Sequence, residues 1–145
     1  PYEEVAYDIY RVESPDPTSG AGMIGELPEA LGERDFLLQV KSVFSVHTLR
    51  HSPLLNRQVK RVAVCGGSGA FLLGRAMAAG ADVFLTGDMK YHQFFDAAGK
   101  LVVADIGHYE SEQFTIDIIC ELLTKNFPNF AIHFSRINTN SISYL

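Results

Sequence analysis

No apolar run in the 145 residues approaches the ~18 needed to cross a bilayer as a helix. No charged-then-apolar leader opens the chain, so the expectation is a cytoplasmic protein. Cysteine is scarce. Cys65 and Cys120 are far apart, and each sits in an apolar stretch, which favours two buried thiols in a reduced compartment over a disulfide. Basic residues are outnumbered: 12 Lys plus Arg stand against 17 Asp plus Glu, a net charge of −5. A nucleic-acid-binding module usually carries a basic footprint, so nucleic acid is not an expected partner. The first residue is Pro1 rather than Met, so a trimmed or partial chain is expected, with a partner segment on its N-terminal side.

What is present is an ordinary globular composition, 47% hydrophobic and 20% charged, which excludes wholesale disorder. The length fits one domain with a real core. Residues 2–12 alternate as a strand does, and residues 14–22 are dominated by Pro, Gly, Ser, Thr and Asp, as a linker is. Residues 23–27 read as a short strand. Residues 28–45 have helical spacing, with Phe36, Leu37, Val40, Val43 and Phe44 on one face and Pro28 near the start. Residues 46–50 are β-rich, and a polar connection follows.

From Lys60 the pattern becomes regular. Apolar runs at 62–65, 82–86 and 101–106 are each closed by glycine, and a fourth runs from 130 to 134. Helical stretches at 70–79, 90–98 and 109–126 separate them, the last with Phe114, Ile118, Ile119, Leu122 and Leu123 on its inner face. Strand and helix in alternation predict an α/β fold: a mainly parallel sheet built from βαβ repeats, with helices on both faces.

Ligands of open α/β sheets bind outside the carboxyl ends of the strands. Three segments converge there: residues 66–69, residues 86–92 and residues 107–112. His108 and Glu112 are four apart at the start of a helix, so an imidazole and a carboxylate lie one turn apart on one face. Such a pair can reach one divalent cation, or each one of two. Mixed nitrogen and oxygen ligation suits Zn, Mn, Fe, Ni or Co. The plainer alternative is a charge-assisted contact in a helical turn. Asp88 and His92 repeat the spacing, with Lys90 between them; Asp88 could equally cap a helix, and Lys90 could pair with it. As functional groups, Lys90 and His92 would hold an anionic substrate or move a proton.

Gly66-Gly67-Ser68-Gly69 allows several readings. It lacks the third glycine of a dinucleotide loop and the Gly-Lys-Ser/Thr ending of a P-loop. Ser68, Asp88 and His108 follow the Ser–acid–His order of a serine hydrolase. Otherwise the segment is a tight turn whose N–H groups could bind an anion. His47 and His51 read as surface residues, His133 as a structural residue of the last strand, and Glu3 and Glu4 as a solvated strand edge.

Taken together, Thr86-Gly87-Asp88-Met89-Lys90-Tyr91-His92 and Asp105-Ile106-Gly107-His108-Tyr109-Glu110-Ser111-Glu112 resemble the signatures of the NIF-three-like proteins, also called GTP cyclohydrolase I type 2 homologues. Residues 62–70, residues 80–83 and the close at 138–142 fit the same family. Residues 1–9 resemble the exit from a small inserted domain that some members carry, with an exit strand over residues 1–13.

The resemblance implies the C-terminal part of a larger protein with a dinuclear metal site, in which His108 and Glu112 occupy two ligand positions. The other ligands, an adjacent His pair and an Asp in the N-terminal half, have no counterpart here, since the chain contains no His-His. Asp88, Lys90 and His92 then become orienting groups or substrate contacts. The activity implied is metal-dependent hydrolysis of a small, nucleotide-like substrate, in a homo-oligomer shaped as a ring of six. The alternatives are a non-catalytic metal-binding protein that regulates or interacts, and a serine hydrolase acting through Ser68.

Overall fold

The computed structural model describes residues 7–10 and 19–145. Most of the expected strand at 2–12 and most of the linker at 14–22 lie outside the described residues; residues 7–10 form no strand. The elements are β1 (Met23–Gly32), α1 (Glu33–Val43), β2 (Arg50–His51), β3 (Gln58–Ser68), a 3-10 turn (Ala70–Leu72) leading into α2 (Leu73–Ala78), β4 (Val83–Gly87), α3 (Gln93–Asp96), β5 (Val102–Asp105), α4 (His108–Glu112) and α5 (Thr115–Asn126).

The sheet runs in the order β1-β3-β4-β5-β2. The three glycine-closed runs form its parallel centre, in register Val62↔Val83 and Val83↔Val102. Both outer strands are antiparallel, Met23↔Val64 on one side and Arg50↔Asp105 on the other. Alternation sorts the centre to two faces. Val83, Leu85, Val102 and Ala104 pack under Phe36, Leu37 and Val40 of α1. Ala63, Cys65, Phe84 and Val103 pack under Leu73 and Ala76 of α2 and Ala97 after α3. The α/β architecture with helices on both faces is therefore present.

Several boundaries differ from expectation. Residues 28–32 end a strand rather than start a helix. Pro28 has no N–H to give, but it lies on an edge strand where the register shifts between Glu26 and Leu31, so no ladder bond is lost. The helix waits for Glu33 and Asp35, whose charges suit its first turn. The fourth apolar run, 130–134, forms no strand, and His133 is exposed rather than structural. Antiparallel strands flank the parallel centre on both sides, so a fourth parallel strand cannot pair with it directly.

The expected helix at 109–126 is two helices. Between them Gln113 Nε2 donates to the carbonyl of Phe44 at 2.9 Å, and Phe114 packs edge-to-face on Phe44. The face of α5 expected to point inward does not: none of its residues is buried, and Ile118 is 65% exposed. Both thiols are free, Cys65 buried and Cys120 half-buried. His47 and His51 are exposed. No described helix is long and apolar enough to cross a membrane.

Candidate metal centre

Each central strand ends in a loop, and side chains tie the three loops together. Thr86, at the end of β4, is 1% exposed. Its Oγ1 accepts from Gly69 N at 2.9 Å and donates to Gly67 O at 3.1 Å, which fixes the turn after β3. Ser111 Oγ accepts from Gly67 N at 2.8 Å and donates to His108 O at 2.7 Å, which binds that turn to α4. The N–H groups of Gly67 and Gly69 are thus used within the protein and are not available to an anion.

Asp105 does the same for the other two loops. It is the one charged residue in the apolar run 101–106. Oδ2 accepts from Met89 N at 2.8 Å and pairs with Arg50; Oδ1 accepts from Gly107 N at 2.9 Å. Arg50 Nη2 also donates to the carbonyl of Met89 at 2.9 Å.

Gly107 has φ of +95°, a conformation open to glycine, and turns the chain so that α4 starts at His108. Gly67, at φ +60°, lies directly against that helix: a Cβ there would stand 2.6 Å from Glu112 Oε1 and 3.3 Å from His108 Cε1. Backbone without side chain leaves the space that the imidazole and carboxylate occupy.

His108 is held from both sides. Nδ1 lies 2.6 Å from Asp88 Oδ2, and Nε2 lies 3.3 Å from Glu112 Oε2; all three side chains are about half exposed. Asp88 reaches its position from the left-handed region, φ +55°, which Asp tolerates better than most residues. The hydrogen bond to Asp88 raises the His108 pKa most; burial opposes it, and the charges of Asp88 and Glu112 add to the rise. Glu112 also adds to the rise of the Cys65 pKa, which burial dominates.

When Nδ1–H donates to Asp88, Nε2 and Glu112 are two acceptors facing each other. They need a positive centre between them, either a proton on Nε2 or a metal ion. Two ligand atoms about 2.1 Å from one tetrahedral ion stand about 3.4 Å apart, close to the 3.3 Å observed. The donor set fits a divalent cation, and Asp88 stands where a carboxylate fixes the tautomer of a ligating histidine. Among the described residues no group of three or more His, Cys, Asp or Glu is assembled to hold a metal ion.

Of the other predicted residues, only Asp88 contacts this pair. Asp88 caps no helix, because α3 begins only at Gln93 with His92 at its cap. The side chains of Lys90 and His92 are exposed, and among the described residues they make no hydrogen bond or ion pair with His108, Glu112 or Asp88. Ser68 is exposed and makes no hydrogen bond to His108, whose Nε2 faces Glu112 instead; the left-handed residue of its turn is Gly67. That geometry gives the serine-hydrolase reading no support. Sequence reasoning assigned no role to Thr86, Asp105, Ser111 or Arg50. A lone carboxylate inside an apolar strand was the available signal for Asp105, since a charge so placed must be paired.

The family model described as Duf34/NIF3 (NGG1p interacting factor 3) matches residues 4–141. A Bacillus subtilis protein named GTP cyclohydrolase 1 type 2 homolog is 37% identical over 150 residues, covering 100% of this chain and 40% of its own length. A protein of the same name from Halalkalibacterium halodurans is 43% identical over 109 residues, covering 74% of this chain and 29% of its own length. The crystal structure of a Staphylococcus aureus hypothetical protein superposes with a TM-score of 0.79 at 32% identity, over 86% of this chain and 43% of that one. The chain thus spans well under half the length of the relatives it matches.

Proposed function

We propose that this chain, which belongs to the Duf34/NIF3 family, carries one side of a dinuclear metal centre. His108 Nε2 and Glu112 are the ligands, and Asp88 orients the imidazole. The remaining ligands come from the part of the protein outside these residues. The observation that supports this reading is the Asp88–His108–Glu112 row, with two acceptors set 3.3 Å apart against a glycine that leaves them room.

A pair of Zn, Mn, Fe, Ni or Co ions would supply hydroxide near neutral pH and polarise a phosphoryl or carbonyl oxygen. The reaction proposed is hydrolysis of a small, nucleotide-like substrate. Asp88 keeps the Nδ1 proton in place, so that Nε2 presents its lone pair. Lys90 and His92, on the exposed loop that follows, are the substrate contacts and proton carriers of this proposal. The whole protein is proposed to work as a homo-oligomer, a ring of six.

Elemental analysis of the full-length protein tests the centre. His108→Ala and Glu112→Ala should each lower metal content while leaving the protein folded, and the isolated 145-residue chain should hold metal weakly and below stoichiometry. Full stoichiometry in both variants refutes the assignment. Hydrolysis of p-nitrophenyl phosphate that a chelator stops and Mn or Zn restores supports the enzymatic reading. The exposed apolar face of α5 favours a second reading, a metal-binding protein that works through protein contacts. Metal held without turnover on a broad substrate panel would select it.

A further inference from the structure

A cleft of about 840 Å³ opens beside the candidate centre, lined by His108 and Glu112 on one side and by the chain's last segment on the other. Arg136 is the single Lys or Arg among its lining residues. Its side chain is exposed, and among the described residues it makes no hydrogen bond or ion pair. Glu112 is the one carboxylate of the same lining, and Arg136, which makes no ion pair with it, is free to take an anion.

The neighbouring side chains narrow the class of anion. Ser135 Oγ accepts from Ile137 N at 3.2 Å, and Asn138 Oδ1 accepts from Asn140 N at 2.8 Å. Each spends an acceptor on the backbone and keeps a donor, the hydroxyl hydrogen of Ser135 and the amide NH2 of Asn138. Thr139 adds another hydroxyl to the lining. A rim rich in donors around one guanidinium suits a group with several acceptor oxygens and no hydrogen to give, which describes a phosphate better than a two-oxygen carboxylate. Ile116, Ile119 and Ile142 supply apolar floor for the rest of such a molecule.

We propose that this cleft binds a phosphorylated small molecule with an apolar or planar body, and that Arg136 holds its phosphate. The substrate class rests on the metal-centre reading; the binding site itself does not. The test uses full-length protein and benzylphosphonate, a phosphate-like anion that cannot be hydrolysed at an ester bond. Affinity is measured by titration calorimetry in the wild type and in a His108→Ala background, beside metal content.

Arg136→Ala should weaken benzylphosphonate binding at least tenfold in both backgrounds with metal content unchanged, and Arg136→Lys should retain part of the affinity. Benzoate should bind more weakly than benzylphosphonate. Equal affinity in wild type and Arg136→Ala, or no binding by the wild type, overturns the proposal. If instead His108→Ala leaves metal content unchanged while the Arg136 effect persists, the metal-centre reading fails and the anion site stands.

Discussion

Gly67→Ala separates backbone strain from the geometry of the candidate centre. At φ +60° an alanine costs about 1–2 kcal/mol of backbone energy. Its methyl would also stand 2.6 Å from Glu112 Oε1 and 3.3 Å from His108 Cε1. The carboxylate is at the end of a flexible, half-exposed side chain, so it moves away at little cost to the fold. What is lost is its place opposite Nε2. Gly80 provides the control. It closes α2 in a Schellman turn, with Gly80 N on Met77 O and Ala81 N on Ala76 O. Its φ is +71°, and nothing lies within 4 Å of a Cβ built there. Gly80→Ala should therefore cost the same 1–2 kcal/mol and leave metal untouched, whereas Gly67→Ala should lower metal affinity about 10–100-fold, as disturbed ligand shells do. Urea denaturation in the presence of a chelator gives the stability of each variant without the contribution of bound metal. Competition against a chromophoric chelator, on full-length protein, gives affinity. Equal metal affinity in the two variants would refute the placement of Glu112 in the centre.

Asp88→Asn keeps the shape and the tolerance for left-handed backbone but removes the charge on His108 Nδ1. Metal affinity should fall about 10–100-fold. In the metal-free protein the raised His108 pKa lets protons compete with metal at higher pH than for a free imidazole, so affinity declines as pH falls through that raised value. Asp88→Asn should move the decline to lower pH, which an NMR titration of the imidazole and metal binding at several pH values would check; an unmoved midpoint contradicts the hydrogen bond as its cause. Thr86→Val leaves Gly69 N and Gly67 O unpaired in a buried turn and should cost about 2–4 kcal/mol; Thr86→Ser should recover most of it in the same denaturation assay. Asp105→Asn removes the charge that pairs Arg50 and one of the acceptors serving Met89 N and Gly107 N, for a loss of about 3 kcal/mol. A loss below 1 kcal/mol would mean that Asp105 does not hold the two loops.

What the sequence disclosed follows the range of the interactions involved. The central strands were legible because an apolar run closed by glycine is a local pattern, and the glycine turns are local as well. The meeting of His108 with Glu112 needs only the pitch of a helix. The approach of Asp88 to His108 needs two parallel strands in register, which the βαβ pattern supplies at coarse grain. By contrast, the pairing of Asp105 with Arg50 spans 55 residues and depends on a two-residue antiparallel strand, too short to show any periodicity. The strand through Pro28 was hidden for a related reason. Proline argues against a strand unless the strand lies at an edge with an interrupted ladder, and edge position is a property of the whole sheet.

The apolar stripe of α5 shows the limit of such patterns most plainly. Period 3.6 fixes which residues of a helix share a face, and Phe114, Ile118, Ile119 and Leu122 do carry an apolar stripe. Period says nothing of what covers it. In this chain α1 covers one face of the sheet, α2 and α3 cover the other, and antiparallel strands close both ends. No residue of α5 is buried, so a correct reading of amphipathicity led to a wrong expectation of burial. The candidate centre is open on the same logic. Its imidazole and carboxylate are fixed by turns that the chain builds for itself, and the groups that would complete a cation's coordination are not among the described residues. Local physics therefore specifies the mutual geometry of His108 and Glu112, while the proposed metal centre would need further groups from outside the described residues.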